Sequence, residues 1–324
     1  MALAGSRLKS DSGGMQTPSR HRMITLLRDL APGEGYTLTP LPDVRLLRSD
    51  RPLSRTPVLY EPGIVIVVQG RKRGFLADEV FLYDDQHYLV VSVPVPFTME
   101  TDATAEEPLL AIYLRLDHAM AAELCIQIDE RRGAPSATPR GLYSSPMEEP
   151  LAASVLRLLE ALAVPPEGDV LGPALVREIY YRILTGAQGG SLRAALAQQG
   201  KFGMVARAIR MIHGRYNEAL SVDELASEAA MSPPTFHAHF RAMTGTSPMR
   251  YVQSTRLHQA RLLMLRQHTT AAAAATAVGY ESASQFSREF KRLFGRPPLE
   301  EVERMKQSFA MPAALTSSPF VSSH

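Results

Sequence analysis

The sequence SPPTFHAHFRAMTGTSP, residues 232–248, is answered fifty residues later by SASQFSREFKRLFGRPP, residues 282–298. At that offset Ser232 falls on Ser282, Phe236 on Phe286, Phe240 on Phe290, Gly245 on Gly295 and Pro248 on Pro298. Met243 over Leu293 and Arg241 over Lys291 keep the chemistry as well. A repeat at one fixed offset implies one structural unit used twice. In each copy the apolar residues recur at i, i+4 and i+7, the spacing of a single helix face. Each helix of about three turns stops at a glycine, the residue that most easily takes the left-handed end conformation.

What precedes each copy is alike too. Ser221-Val-Asp-Glu224 has the pattern of a capping box, in which the serine hydroxyl accepts from the backbone and the glutamate reaches back. Leu225, Ala226 and Ala229 give that helix its apolar side. A brief turn at Ala230-Met231 leads to Ser232, expected to cap the next helix with Pro233 at its first position. In the second copy residues 271–278 form the first helix and Gly279-Tyr280 the turn. Ser282 is the expected cap there, and Gln285 completes a second capping box. Two short helices across a tight turn make a helix-turn-helix. Between the copies, residues 249–267 follow Ser247-Pro248 without an internal breaker. About nineteen helical residues span roughly 28 Å, near the roughly 34 Å of one turn of DNA.

The faces opposite the phenylalanines differ between the copies. The first carries Pro234, His237, Ala238 and Arg241; the second carries Ser284, Ser287, Arg288 and Lys291. If both enter a major groove, Arg288 is the best base reader, since its guanidinium offers guanine a pair of donors. Ser284, Ser287 and His237 are secondary readers, with Thr235 beside them. Arg241, Lys291 and Arg292 suit phosphates, which position a protein without specifying sequence. Gln285 is divided between capping and base contact. The second copy is therefore expected to select sequence and the first to place it.

Charge agrees with a polyanionic partner. From Lys201 onward there are 15 Lys+Arg against 9 Asp+Glu, and before it 20 against 24, although the net charge is only +2. Such an asymmetry points the C-terminal part at nucleic acid. The 324 residues suffice for two domains, and 45% hydrophobic content excludes wholesale disorder. With Cys125 as the one cysteine, no internal disulfide framework or Cys-based metal cluster can form, which fits a reducing, cytoplasmic compartment. No apolar run reaches eighteen residues, so no membrane partner is expected. The N-terminus has no signal-peptide h-region.

The N-terminal part reads differently. Residues 1–22 are polar and rich in Ser, Gly and Arg, as in a disordered arm, with Met15 and Met23 as alternative starts. A short helix is expected at 24–30. Strand-like runs follow at 64–69, 73–76, 80–83, 88–93, 97–100 and 109–116, separated by turn signals, and imply a small sandwich or barrel. Arg71-Lys72-Arg73 reads as a solvated turn rather than an anion site. Helices are expected at 117–129, at 147–163 and from Leu171 to Thr185. The last has the stripe Leu171, Leu175, Ile179 and Ile183, which either packs on its own domain or forms a homodimer interface. Residues 186–200 read as the boundary between halves. An enzymatic metal barrel would need clustered histidines, but His87 and His118 stand thirty-one residues apart without partners, so neither a catalytic residue nor a metal ligand is assigned.

These residues carry a family resemblance. VGYESASQFSREFKRLFGRPP, from Val278 to Pro298, closely resembles the second helix-turn-helix signature of AraC-type transcriptional regulators, and residues 220–240 and 256–263 resemble the first half and its connector. Pro62-Gly63, Gln69-Gly-Arg-Lys and Tyr88-Leu-Val-Val-Ser-Val resemble the cupin-like N-terminal domain of one group of them. The chain departs from the pattern at Ala274, where relatives carry a large aliphatic residue, and at Ala238, where they carry a long polar one. The resemblance implies a bacterial, cytoplasmic, sequence-specific regulator with double-stranded DNA as partner. It implies a small-molecule effector or dimerisation role for the N-terminal domain, no cofactor, and RNA polymerase as a partner if transcription is activated. The expected fold is α+β: a cupin-like domain at 23–190 with accompanying helices, then an all-α domain at 201–305 of two helix-turn-helix units on a long linker helix, and a disordered tail at 306–324. The alternative is a cupin-type enzyme or small-molecule binding protein whose helical half mediates association.

Overall fold

The run GIVIVVQ forms strand β4, Gly63–Gln69, at the centre of the N-terminal half of the protein. Its β-branched residues favour a strand, and its lack of alternation fits one buried on both faces. Ile64, Ile66 and Val68 join one core, while Val65 and Val67 join another on the opposite face. The computed structural model of the protein describes residues 17–197 and 200–308.

Nine further strands surround β4: β1 (Gly35–Leu38), β2 (Val44–Ser49), β3 (Leu53–Tyr60), β5 (Arg71–Leu76), β6 (Glu79–Asp84), β7 (His87–Val91), β8 (Val95–Asp102), β9 (Leu109–Arg115) and β10 (Leu142–Pro146). They form one antiparallel sheet in the order β1-β2-β9-β4-β7-β6-β5-β8-β3, with β10 paired to β7. Helices α1 (Thr17–Leu30), α2 (His118–Arg132), α3 (Glu149–Leu162), α4 (Pro165–Thr185) and α5 (Gly189–Leu196) supply the rest of the core on the outer face. Asp117 caps α2 through the Ala119 and Met120 amides. The Tyr180 hydroxyl of α4 donates to the Arg115 carbonyl at 2.7 Å and accepts from the Asp117 amide at 2.8 Å, pinning α4 to the end of β9.

The C-terminal half is helical: α6 (Gly200–Arg215), α7 (Val222–Glu228), α8 (Pro233–Thr244), α9 (Pro248–Gln267), α10 (Ala271–Ala277), α11 (Ala283–Phe294) and α12 (Pro298–Ser308). The two halves share cores. Leu262 of α9 and Met305 of α12 complete the inner face of the sheet, and Val93 and Val95 pack among α6, α7 and α8. A Cβ at Gly245 would lie 2.9 Å from Leu76 Cδ1, so the end of α8 sits directly on β5.

Several expectations are corrected. Helix α1 begins at Thr17, so residues 17–22 are helical rather than part of an arm; residues 1–16 lie outside the described residues. The tail expected from 306 starts inside α12, and 309–324 lie outside the described residues. The stretch expected as a boundary contains α5, whose Leu192 is fully buried in the outer core. Strands β1, β2, β3 and β10 are not marked in the sequence, since β2 and β3 interrupt their apolar residues with arginines; Arg45 and Arg48 of β2 find carboxylate partners, and Arg55 of β3 donates to Thr98 and lies over the Phe75 ring. Arg71-Lys72-Arg73 is no turn: it lies in β5, where Lys72 faces inward at 1% exposure and Arg73 pairs with Glu100 and Asp102. Of the stripe on α4, Ile179 and Ile183 are buried in their own domain's core, Leu175 is half-buried, and Leu171 is exposed.

Candidate nucleic-acid interface

Each unit is built around its phenylalanines. Phe236 and Phe240 are fully buried, their ring centroids 5.3 Å apart, and Phe240 meets Tyr251 of α9 edge-on at the same separation. In the second unit Phe286, Phe290 and Phe294 follow one another at 5.5 and 4.5 Å. Gly245 and Gly295 take left-handed conformations, φ 71° and 79°, and end α8 and α11. The amphipathic spacing thus buries one face of each helix and exposes the other. Leu293 departs from the expected stripe by being half-buried.

Every residue predicted for the interface is on the exposed side: Pro234, Thr235, His237, Ala238 and Arg241 on α8, and Ser284, Gln285, Ser287, Arg288, Lys291 and Arg292 on α11. Arg292 stands at the edge of its group, on the wall of a cleft towards the sheet. The side chains of Arg241, Arg288 and Lys291 have no ion pair or hydrogen bond among the described residues. Arginines of the other half are engaged, as in Arg45–Glu61 at 3.1 Å, Arg51–Glu34 at 2.6 Å and Arg157–Glu178 at 2.5 Å. Unpaired cations on a helix face suit an external polyanion, because nothing internal neutralises them.

The caps differ from expectation in two places. Ser221 and Glu224 form the complete capping box. Ser282 accepts from the Gln285 amide, but the Gln285 side chain turns to Glu289, Nε2 to Oε1 3.1 Å, so the second box is half made. Its amide therefore lies on the helix surface. Ser232 does not cap the backbone; its hydroxyl donates to Thr235 Oγ1 at 2.9 Å.

Helix α9 carries both units. Tyr251 and Val252 near its start belong to the core of α6, α7 and α8, and Leu257, Ala260 and Met264 belong to that of α10, α11 and α12. Its 20 residues make a rod of about 30 Å. On one side of the rod lies a groove of about 870 Å³ between the units, lined by Asn217, Met249, Arg250, Arg256, Tyr280 and Gln285. Arg250 was missed in the sequence. Nothing in the apolar periodicity of α9 marks it; only the fold puts this exposed cation on the wall of the same groove as Gln285. On the sheet side a cleft of about 420 Å³ is lined by Phe75, Phe97 and Leu293 together with Arg55, Arg250 and Arg292.

Among the described residues no three His, Cys, Asp or Glu side chains gather as a metal site. His87 is engaged with Asp84, Nδ1 to Oδ1 3.0 Å, and burial lowers the pKa of His118. No described helix is long and apolar enough to cross a membrane.

A curled antiparallel sheet with helices on its outer face, followed by two helix-turn-helix units on a shared helix, defines a two-domain helix-turn-helix protein. Residues 40–191 match the AraC-type transcriptional regulator N-terminus, and residues 225–304 match a helix-turn-helix domain. The chain is similar to a putative AraC-like transcription regulator of Streptomyces lividans, 36% identical over 95 residues, which cover 29% of this chain and 31% of that protein. It is similar to the transcriptional activator RhaS of Yersinia pestis, 29% identical over 143 residues, covering 44% of this chain and 51% of RhaS. The matched segments thus span about a third to a half of these relatives' lengths. Among solved structures, fatty-acid-bound ToxT from Vibrio cholerae has the same fold, with a TM-score of 0.56 at 10% identity over 86% of this chain and 99% of that one. Both halves of the chain are thus similar to AraC-type transcriptional regulators, the first through its N-terminal domain and the second through its helix-turn-helix domain. Its relatives are regulators, and the enzyme alternative is not favoured.

Proposed function

We propose that the protein is a cytoplasmic, sequence-specific DNA-binding regulator whose two units enter successive major grooves of one site. The observation that carries this reading is the pair of exposed helix faces with unpaired Arg241, Arg288 and Lys291, mounted on one rod of about 30 Å. Arg288 reads a base, helped by Ser284, Ser287 and His237. Thr235, Pro234 and Ala238 shape the first unit's contact, Gln285 reaches the groove once its amide leaves Glu289, and Arg241, Lys291 and Arg292 meet phosphates. A gel-shift with random genomic fragments tests the reading: discrete bound fragments support it, and no bound fragment at low salt refutes it.

The cleft between sheet and helices is the proposed effector site. Domain interfaces favour such sites, and about 420 Å³ suits a drug-sized molecule. Phe75, Phe97 and Leu293 supply an apolar lining, while Arg55, Arg250 and Arg292 favour an acidic group. Because Arg292 and Leu293 belong to α11, a ligand there touches the reading helix itself. The check compares aromatic and long-chain carboxylic acids with their methyl esters: the acids alone shift DNA affinity. A homodimer would use the exposed Val164, Val170 and Leu171 at the start of α4 rather than Ile179 and Ile183. RNA polymerase is the further partner if the protein activates.

A further inference from the structure

Arg256 lies in the middle of α9 and reaches both units at once. Its Nε donates to the Tyr216 carbonyl and its Nη2 to the Glu218 carbonyl, each at 2.6 Å, in the segment between α6 and α7. Its Nη1 donates to the Gly279 carbonyl at 3.2 Å, in the turn between α10 and α11. All three acceptors are main-chain oxygens, so the guanidinium holds backbone to backbone with no flexible side chain between, through charge-assisted bonds. The same two segments also touch directly: Gly279 has φ +83°, and a Cβ on it would lie 2.3 Å from the Asn217 carbonyl oxygen.

The two units therefore meet at a second place besides the shared helix. Helix α9 fixes the distance between the cores that grip it, but packing along one rod does not by itself set the angle between them, and the sheet holds each unit separately rather than one against the other. A joint on the side of the rod sets it, because two supports fix an angle that one does not. Relative rotation matters to a reader of two grooves. One base pair turns the second groove by about 35° and moves it by roughly 3.4 Å.

We propose that Arg256 is the positioning residue that sets the relative rotation of the two units, so that the protein accepts its two DNA submotifs at one separation only. The proposal rests on the reading of DNA by both units. Arg256 needs no contact with a base for this role; it acts through the joint between residues 216–218 and Gly279.

The experiment selects sites from a duplex library with a randomised core of about 40 base pairs, several turns of DNA. The full-length protein and its Arg256→Ala and Arg256→Lys variants are used, with thermal melting followed in parallel. The wild type is expected to recover two submotifs at a single separation of about one helical turn. Arg256→Ala is expected to recover the same submotifs spread over neighbouring separations. Inserting one base pair into the wild-type site should weaken wild-type binding by about tenfold or more, and Arg256→Ala binding by about threefold or less. Arg256→Lys falls between, since one ammonium cannot reach acceptors on both sides of the joint. A folded Arg256→Ala protein that keeps the single separation and the full insertion penalty overturns the proposal. If Arg256→Ala does not fold, Arg256→Lys decides by the same comparison. A wild type that recovers one submotif or none overturns the two-unit reading itself, and the positioning role with it, before any variant is considered.

Discussion

Arg261 and Glu301 form an ion pair with no solvent exposure on either side chain, Nη1 to Oε1 3.1 Å. Arg304 adds a second guanidinium to Glu301 at 2.9 Å, and Arg261 also donates to the Pro57 carbonyl at 3.1 Å and lies 4.3 Å over the Phe294 ring. Four elements (α9, α11, α12 and β3) thus converge on one charge, which ties the second unit to the sheet. Burial pulls the Arg261 pKa down to about 10 against the pull of Glu301.

Removing one partner of a buried pair strands the other, which typically costs about 3–5 kcal/mol. Glu301→Ala is expected to lower the unfolding free energy by that amount in a denaturant titration. Replacing both members, Arg261→Met with Glu301→Leu, should cost much less, because no charge is then left buried. Equal losses for single and double variants would show that the pair contributes only packing.

Arg288→Ala and Lys291→Ala should separate base reading from backbone contact. The first is expected to lose roughly 1–3 kcal/mol on the selected site and to relax specificity there. The second should weaken binding to all sequences alike and reduce the salt slope by about one. An operator titration that finds the Arg288→Ala loss equal on random DNA would remove Arg288 as a base reader.

The helix-turn-helix half should be sensitive to acid. Burial lowers the His213 pKa to about 4, and burial followed by the neighbouring Arg261 lowers that of His258 as well. A histidine with a folded pKa below its unfolded value near 6.5 leaves stability intact above that value and removes it as pH falls towards the folded pKa. His213 alone is expected to lose on the order of 3 kcal/mol between about pH 6.5 and 4. Its Nε2 lies 2.8 Å from the Tyr251 hydroxyl, which donates to the Pro94 carbonyl at 2.8 Å, so the neutral ring must be the donor in the first bond. Melting curves across that range check the prediction, and His213→Gln should flatten part of the dependence.

Lys72 follows the same sign at higher pH. It sits among Tyr83 and Thr101, its register partners, and burial alone lowers its pKa to about 7. The cost of that burial is present below the unfolded pKa near 10.4 and vanishes above it. Lys72→Met is therefore expected to stabilise the protein by roughly 1–4 kcal/mol at neutral pH, with the gain shrinking as pH rises towards 10. Chemical denaturation at pH 7 and pH 10 measures both.

Much of the C-terminal half was legible in the chain because its signals are local. The spacing of Phe236 and Phe240, and of Phe286 and Phe290, announces a buried face, and Gly245 and Gly295 announce where the helices stop. The Gln285 cap misled, because Gln and Glu289 stand one helical turn apart and the side-chain bond within the helix competes with the box. In the sheet, GIVIVVQ was plain, whereas β2 and β3 hide behind arginines that become acceptable in a strand only once Glu61 and Asp50 are beside Arg45 and Arg48, and Thr98 and Phe75 beside Arg55. Lys72 read as solvated because its neighbours Arg71 and Arg73 are charged. Alternation along β5 turns those two outward and Lys72 inward, a fact set by which neighbouring strands it meets.

The sequence by itself determined the doubled unit, the faces its helices bury and expose, and the rod between them, since all of these follow from periodicity and end signals within a few turns of chain. Only the tertiary structure decided that Arg256 joins the turns of both units, that Arg261 is buried against Glu301, and that the sheet and the second unit enclose a cleft at α11. Those relations bring together residues far apart in the chain, as Pro57 and Arg261 are, 204 positions from one another. No local pattern encodes such a pairing, because it depends on how whole elements pack.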